Sequence, residues 1–256
     1  MKDAPSQVRS PRTGELVAAK LRKQIITGEL QDGDEIAPEP ELMAEYGVSR
    51  PSIRDAIRIL ETEGLLKIRR GRFGGANVVR PTPASAAYHL GLVMQAEGTT
   101  MADLAEARGV LEPLCAGLCA TRPEREQIAD ELDAIVADSV PSEDDDGSTF
   151  TAEALRFHDA IVERCGSTTL RLLAGALESV WGSQERRWAH SAGAAGRYPS
   201  VEDRRAVVRA HRAVVRHIRA GRVEQAQKSM AAHLDTSQTY VSPGRVPVDV
   251  LTPPND

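Results

Sequence analysis

Apolar side chains recur every three or four residues along most of this chain, and the places where that rhythm fails divide it into elements. Leu16, Ala19, Leu21, Ile25 and Ile26 predict a helix over 15–27, stopped by Gly28. Leu42, Met43 and Tyr46 give a short second helix an apolar face; Gly47 can end it in a left-handed conformation, with Val48 packing in the turn. Ser49 is placed to cap a third helix, Pro51 suits its first turn, and Ile53, Ile57, Leu60 and Leu65 supply its apolar spacing. After Gly64 the rhythm changes: Leu66 and Ile68, then Val78 and Val79, flank a run of arginines and glycines, which reads as a two-stranded wing with a basic tip.

From 85 to 240 no strand pattern is visible and seven helical ones are, over 85–96, 100–120, 123–139, 148–165, 168–190, 200–219 and 222–240. The breaks between them are Gly98, Arg122-Pro123, an acidic PSEDDDG loop, Gly166, an AGAAGRYP loop and Gly221. The expected fold class is therefore mainly α: a winged helix-turn-helix with a small β-wing over 13–80, then an all-α helical bundle. Residues 1–12 are expected as a disordered arm and 81–98 as a linker and first helix. The bundle occupies 99–240, and 241–256 read as a flexible tail.

Charge sharpens the picture of the first part. Between 49 and 80 eight basic residues face three acidic ones, a local balance of +5 in a chain whose total is −5. The third helix carries Arg50, Ser52, Arg54 and Arg58 on its polar face, and the wing carries Arg69, Arg70 and Arg72 beside Gly74. A helix of this kind can lie in a major groove, where arginine reads guanine bidentately. Glycines let a wing approach the phosphate rail, and its arginines release counterions from it. Double-stranded DNA is the expected partner. Residues 84–256 hold 18 basic and 25 acidic residues, so only the first part has the character of a polyanion binder.

Other classes fall away on composition. No apolar run approaches the roughly 20 residues of a membrane span, and the N-terminus lacks the apolar core of a signal peptide, so a cytoplasmic location is expected. Cys115, Cys119 and Cys165 are too few and too unevenly spaced for a disulfide framework or a paired CxxC zinc site, and read as buried small hydrophobes.

The stretch ELMAEYGVSRPSIRDAIRILETEGLLKIRRG resembles the winged helix-turn-helix of the GntR family of bacterial transcription regulators. EARGVLEPLCAGLCA, RFHDAIVERCGS and HRAVVRHIRAGRVEQAQKSMAAHL resemble the ligand-sensing FCD domain of its FadR subfamily, and together the likeness covers about 13–240. It implies a homodimer that binds an inverted repeat, more in the manner of a repressor, and answers to a small organic acid. The DNA contacts it implies fall on Ser49, Arg50, Ser52, Arg54 and the wing from Arg72 to Gly74. One departure is Pro40, where the family carries a basic residue, which removes one phosphate contact.

The resemblance also implies a metal held by an Asp and three histidines. His158, His211 and His233 stand at the three histidine positions, on three helices, and Ala154 stands at the Asp position. Three neutral imidazoles still suit zinc or nickel, and the vacant position can take water or an effector carboxylate. Glu153 lies about 100° from Ala154 around a helix and does not replace the Asp. Against the metal stands the bland reading of three polar residues satisfied inside a bundle. Arg108 is the candidate effector anchor, its fork suited to a carboxylate; its alternative is a pair with Glu112 one turn on. Trp181, Arg186, Arg187 and Trp188 share a helix that can line the same cavity, whereas His89, His190 and His217 match no motif.

An effector-responsive regulator is thus the leading expectation, with no enzymatic activity. A metal-dependent enzyme is the first alternative, because three histidines with an open position also display catalytic zinc; no motif supplies it with a general base. An architectural DNA binder without an effector is the second.

Overall fold

The computed structural model describes residues 12–69, 75–139, 141–142, 148–241 and 246–250, and the chain divides into two units, 1–82 and 83–256. The architecture is mainly helical, with one two-stranded sheet among the described residues.

The first unit comprises α1 (Thr13–Thr27), α2 (Glu39–Tyr46), α3 (Arg50–Thr62), β1 (Leu66–Arg69) and β2 (Gly75–Val78). Ile25, Leu42, Ile53 and Leu60 are the largest side chains closed off from water in its core, each contributing about 2 kcal/mol by burial. α1 differs in register from the sequence expectation. Its buried face is Gly14, Val17, Ala18, Leu21 and Ile25, whereas Leu16 and Ile26 face solvent. Gly14 explains the register, because it lies against α3: a Cβ there would meet the backbone carbonyl of Ser52 at 3.0 Å and Asp55 Cβ at 2.9 Å. Gly47 ends α2 at φ 64°, as the pattern predicts. Ser49 holds the N-cap position of α3, but its hydroxyl lies 3.1 Å from Ser52 Oγ and caps no backbone N–H.

β1 and β2 are antiparallel, in the register Leu66 with Val78 and Arg69 with Gly75. The segment 33–36 adds to the free edge of β2, with Ile36 N donating to Ala76 O and Val78 N to Asp34 O, which anchors the base of the wing. Arg70, Arg72 and Gly74 lie outside the described residues.

The second unit is a bundle of α4 (Pro83–Ala96), α5 (Met101–Thr121), α6 (Arg125–Asp138), α7 (Ser148–Arg164), α8 (Thr168–Ala194), α9 (Val201–Arg219) and α10 (Val223–Val241). α5 touches each of α6 to α10 and is the axis of the unit. α10 lies closest along it, and Gly117 permits that approach, since a Cβ there would meet the Gln227 side chain at 2.6 Å. Phe157, Leu132, Ile161, Ile218 and Met230 fill the space between the helices.

Residues 246–250, expected within a flexible tail, are instead docked. Val248 is fully buried; its N–H donates to Thr99 O, and Met101 N donates to Val246 O. Gln184 and Arg187 of α8 donate to the carbonyl of Asp249, and Gln95 of α4 accepts from Val250 N, so the segment ties α4 to α8.

Candidate DNA-binding and effector sites

In the first unit α3 presents its polar face outward. Arg50 and Arg54 have side chains 60% and 63% exposed, held loosely by Glu39 at 3.3 and 3.6 Å. With Ser52 and Arg58 they line an open groove that Arg12, at the start of α1, also borders. The described basic residues of the wing stand at its base: Arg69 is exposed and 3.5 Å from Glu35. Pro40 lies in the first turn of α2, so that turn carries no cation of its own at this position. Four arginines around one groove give a surface that can neutralise phosphates, and those on the first turns of α3 can reach base edges.

In the second unit α7, α9 and α10 bring His158, His211 and His233 together, all buried. His233 Nε2 lies 3.1 Å from His211 Nε2 and 3.2 Å from His158 Nε2. Tetrahedral zinc with Zn–N of about 2.0–2.1 Å spaces its ligand nitrogens roughly 3.3 Å apart, so the two pairs that His233 makes stand near metal-ligand spacing, and a ligand nitrogen of each ring lies within 4.8 Å of the other two. Phe157 stacks on the His211 ring at 3.9 Å and fixes its plane. Burial pushes His158 down to about 3, and burial with neighbouring imidazoles holds His211 and His233 well below the usual histidine range. All three are therefore neutral, the state in which imidazole ligates. The donor set fits a divalent cation.

Behind this cluster lies a charged network. Glu112 Oε1 accepts from His158 Nδ1 and Glu112 Oε2 from Arg108 Nη2, at 3.0 Å for the latter. Burial pushes Glu112 up to about 7 against the pull of Arg108. The fork of Arg108, which the sequence pattern left available to an effector carboxylate, is filled from within: Glu178 accepts from Nε at 2.8 Å and from Nη2 at 2.7 Å. The intrahelical pair with Glu112 forms as expected, within a buried triad that also takes in Glu178, and Arg108 still borders the cavity. The guanidinium also lies 4.5 Å from the centre of the Trp181 ring.

A cavity of about 60 Å³ opens beside His158 and His233, with Ala154, Trp181, Glu185 and Arg204 in its wall. Ala154 leaves space there that an acidic side chain would fill. Glu153 points elsewhere, to Arg156, as the helix geometry predicts. Trp181 and Trp188 line the cavity, whereas Arg187 turns to Asp249 and Gln184. Two wall residues escaped the sequence reading. Glu185 accepts from Trp181 Nε1 at 2.6 Å, and Arg204 is buried beside Phe150 and Tyr198. The available signal was spacing: Glu178 and Glu185 stand seven apart and share a face of α8 with Trp181.

A helix with an exposed arginine face on one unit and, in the other, a partly open and mostly apolar cavity with a few polar side chains in its wall are the features of a DNA-binding transcriptional regulator with a ligand-sensing domain. Residues 13–73 match the bacterial regulatory proteins, gntR family, and residues 103–236 match the FCD domain, so the chain belongs to the GntR family with a C-terminal FCD domain. It is a regulator and not an enzyme. It is similar to the HTH-type transcriptional regulator Mce2R of Mycobacterium tuberculosis (strain CDC 1551 / Oshkosh), 29% identical over 175 residues that cover 65% of this chain and 69% of that one. It is also similar to the HTH-type transcriptional repressor NanR of Salmonella newport (strain SL254), 26% identical over 244 residues, 91% of this chain and 87% of that one. Among solved structures, Streptococcus agalactiae GntR superposes with a TM-score of 0.65 at 23% identity, over 88% of this chain and 98% of that one, which shows the fold. No helix of the described residues is long and apolar enough to cross a membrane.

Proposed function

We propose that this protein is a repressor that binds an inverted-repeat operator as a homodimer in the cytoplasm, and that a small organic acid and a bound zinc or nickel ion control it. The observation that carries the reading is the convergence of three neutral imidazoles, two of which, His158 and His233, reach the wall of a cavity, next to a position where Ala154 leaves ligand space. When bound, the ion supplies a Lewis-acid position open to a carboxylate. Because Glu178 occupies the fork of Arg108, the effector carboxylate goes to that open position, and Arg108 stays nearby as a fixed positive charge. Ser49, Arg50, Ser52, Arg54 and Arg58 contact the operator from α3, with Arg54 reading bases and Arg58 a phosphate, and Arg69, Arg70, Arg72 and Gly74 hold the sugar-phosphate rail from the wing. Exposed Val110 and Leu114 on α5, and Leu172 and Leu173 on α8, offer apolar surface for a second copy.

Effector binding shifts the population between arrangements of the two DNA-binding units of a dimer. Losing half-site spacing need cost only about 3–4 kcal/mol, a few hundredfold in affinity, to clear an operator. Selection from random duplexes with the purified chain tests this. An enriched inverted repeat whose affinity changes with zinc and small carboxylates supports the reading; enrichment of no sequence leaves an architectural binder in its place.

A further inference from the structure

Three imidazoles carry no charge, and Ala154 brings none, so a dication among them has no anionic ligand from the protein. The nearest negative charge stands directly behind one of the ligands. We infer that Glu112 is the positioning carboxylate of the His158, His211 and His233 site, aiming His158 and supplying from behind it the charge that position 154 lacks. The inference rests on the metal reading above.

Both oxygens of Glu112 are committed. Oε1 accepts from His158 Nδ1 and Oε2 from Arg108 Nη2. A hydrogen bond from Nδ1 to a carboxylate fixes the tautomer of His158, leaves Nε2 with its lone pair, and makes that nitrogen a stronger donor to a cation. Nε2 is the atom that meets His233 at 3.2 Å. Glu112 is not needed merely to neutralise Arg108, because Glu178 already does so through two hydrogen bonds. With Glu112 ionised, one guanidinium faces two carboxylates in a buried triad, which leaves a surplus negative charge beside the imidazoles. Such a charge is costly when uncompensated, and a dication held by His158 compensates it.

The groups around Glu112 also join elements. His158 is on α7, Glu112 and Arg108 on α5, and Glu178 on α8, so one hydrogen-bonded chain runs from the imidazole cluster to the helix that carries Trp181 and Glu185 into the cavity wall. Position 154 lies one helical turn before His158 on the same wall, within reach of an acidic ligand.

The test measures zinc affinity of the full-length protein by competition with a chromophoric chelator, with circular dichroism on each variant. Glu112→Gln is expected to bind zinc about 10- to 100-fold more weakly while keeping its helical content. Adding Ala154→Asp to Glu112→Gln is expected to recover most of that loss, because a direct carboxylate then replaces the remote one. Glu178→Gln removes the surplus charge but leaves the Glu112 hydrogen bond to His158 Nδ1 in place, and is expected to lose less affinity than Glu112→Gln. Unchanged affinity in Glu112→Gln, or equal losses in Glu112→Gln and Glu178→Gln, overturns the assignment. A wild-type protein that binds no zinc or nickel instead removes the metal reading on which it rests.

Discussion

Arg108 and Glu178, 70 residues apart on α5 and α8, meet fork to fork in the interior, with Nε to Oε1 at 2.8 Å and Nη2 to Oε2 at 2.7 Å. Both side chains are 2% exposed. Removing one member of such a pair leaves a buried charge short of its partner. Glu178→Ala should therefore destabilise the protein by about 3 kcal/mol, read as a lower urea midpoint at unchanged slope. A loss under about 1 kcal/mol would show that Glu112 alone satisfies the guanidinium.

DNA binding separates by residue. Arg54→Ala should weaken binding to the selected operator by about 1–3 kcal/mol and relax its sequence preference, whereas Arg58→Ala should weaken all duplexes alike and flatten the salt dependence by about one charge. Anisotropy titrations at several salt concentrations distinguish the two. Undiminished sequence preference in Arg54→Ala would move base reading elsewhere on α3.

Gly14 sets the approach of α1 to α3. A methyl group there meets Asp55 and the Ser52 carbonyl at about contact-breaking distance, 2.9–3.0 Å. Gly14→Ala should cost about 1–3 kcal/mol in the first unit and reduce DNA affinity with it, because α3 has to move. Hydrogen exchange confined to α1 and α3 is the check.

What the chain disclosed before its structure follows from physics that acts over short or long range. Helix boundaries in the bundle were legible because glycine and proline breaks are local: Gly166 and Gly221 sit at positive φ where the pattern stops. The three histidines were legible through a resemblance, and no pattern of spacing alone would have joined them. Glu178 was hidden because its partner lies 70 residues away and a lone acid on a long helix reads as solvated. The α1 register failed at Leu16 and Ile26, where apolar content pointed inward but the contact at Gly14 turned the face. The docked C-terminal segment was missed because Val246, Val248 and Val250, interrupted by Pro247, make too short a run to distinguish from a tail.

That segment gives a further expectation. Val248 is buried without exposed surface between elements that Gln95 and Gln184 bind to its neighbours. Val248→Ala should lower stability by about 1–2 kcal/mol, and truncation after Val241 by more, with loss of protection in α4 and in the middle of α8. Equal thermal midpoints for the truncated and full chains would contradict the docking.

Cys115, Cys119 and Cys165 are free thiols in the core. Burial pushes Cys119 up to about 12 and raises Cys115 as well. At pH 8, below these values, both remain protonated, so a thiol reagent should label neither until the protein is unfolded. Rapid labelling in the native state would place them in an opening region instead.

The central claim is that the imidazole cluster governs DNA binding. Its most direct test is the affinity of the chain for its selected duplex, measured after chelation and after loading with zinc, for wild type and His233→Gln. The account predicts a wild-type affinity that changes at least about tenfold between the two conditions, and a His233→Gln affinity that does not change. Equal wild-type affinities with and without zinc, in protein confirmed to bind the ion, would contradict it.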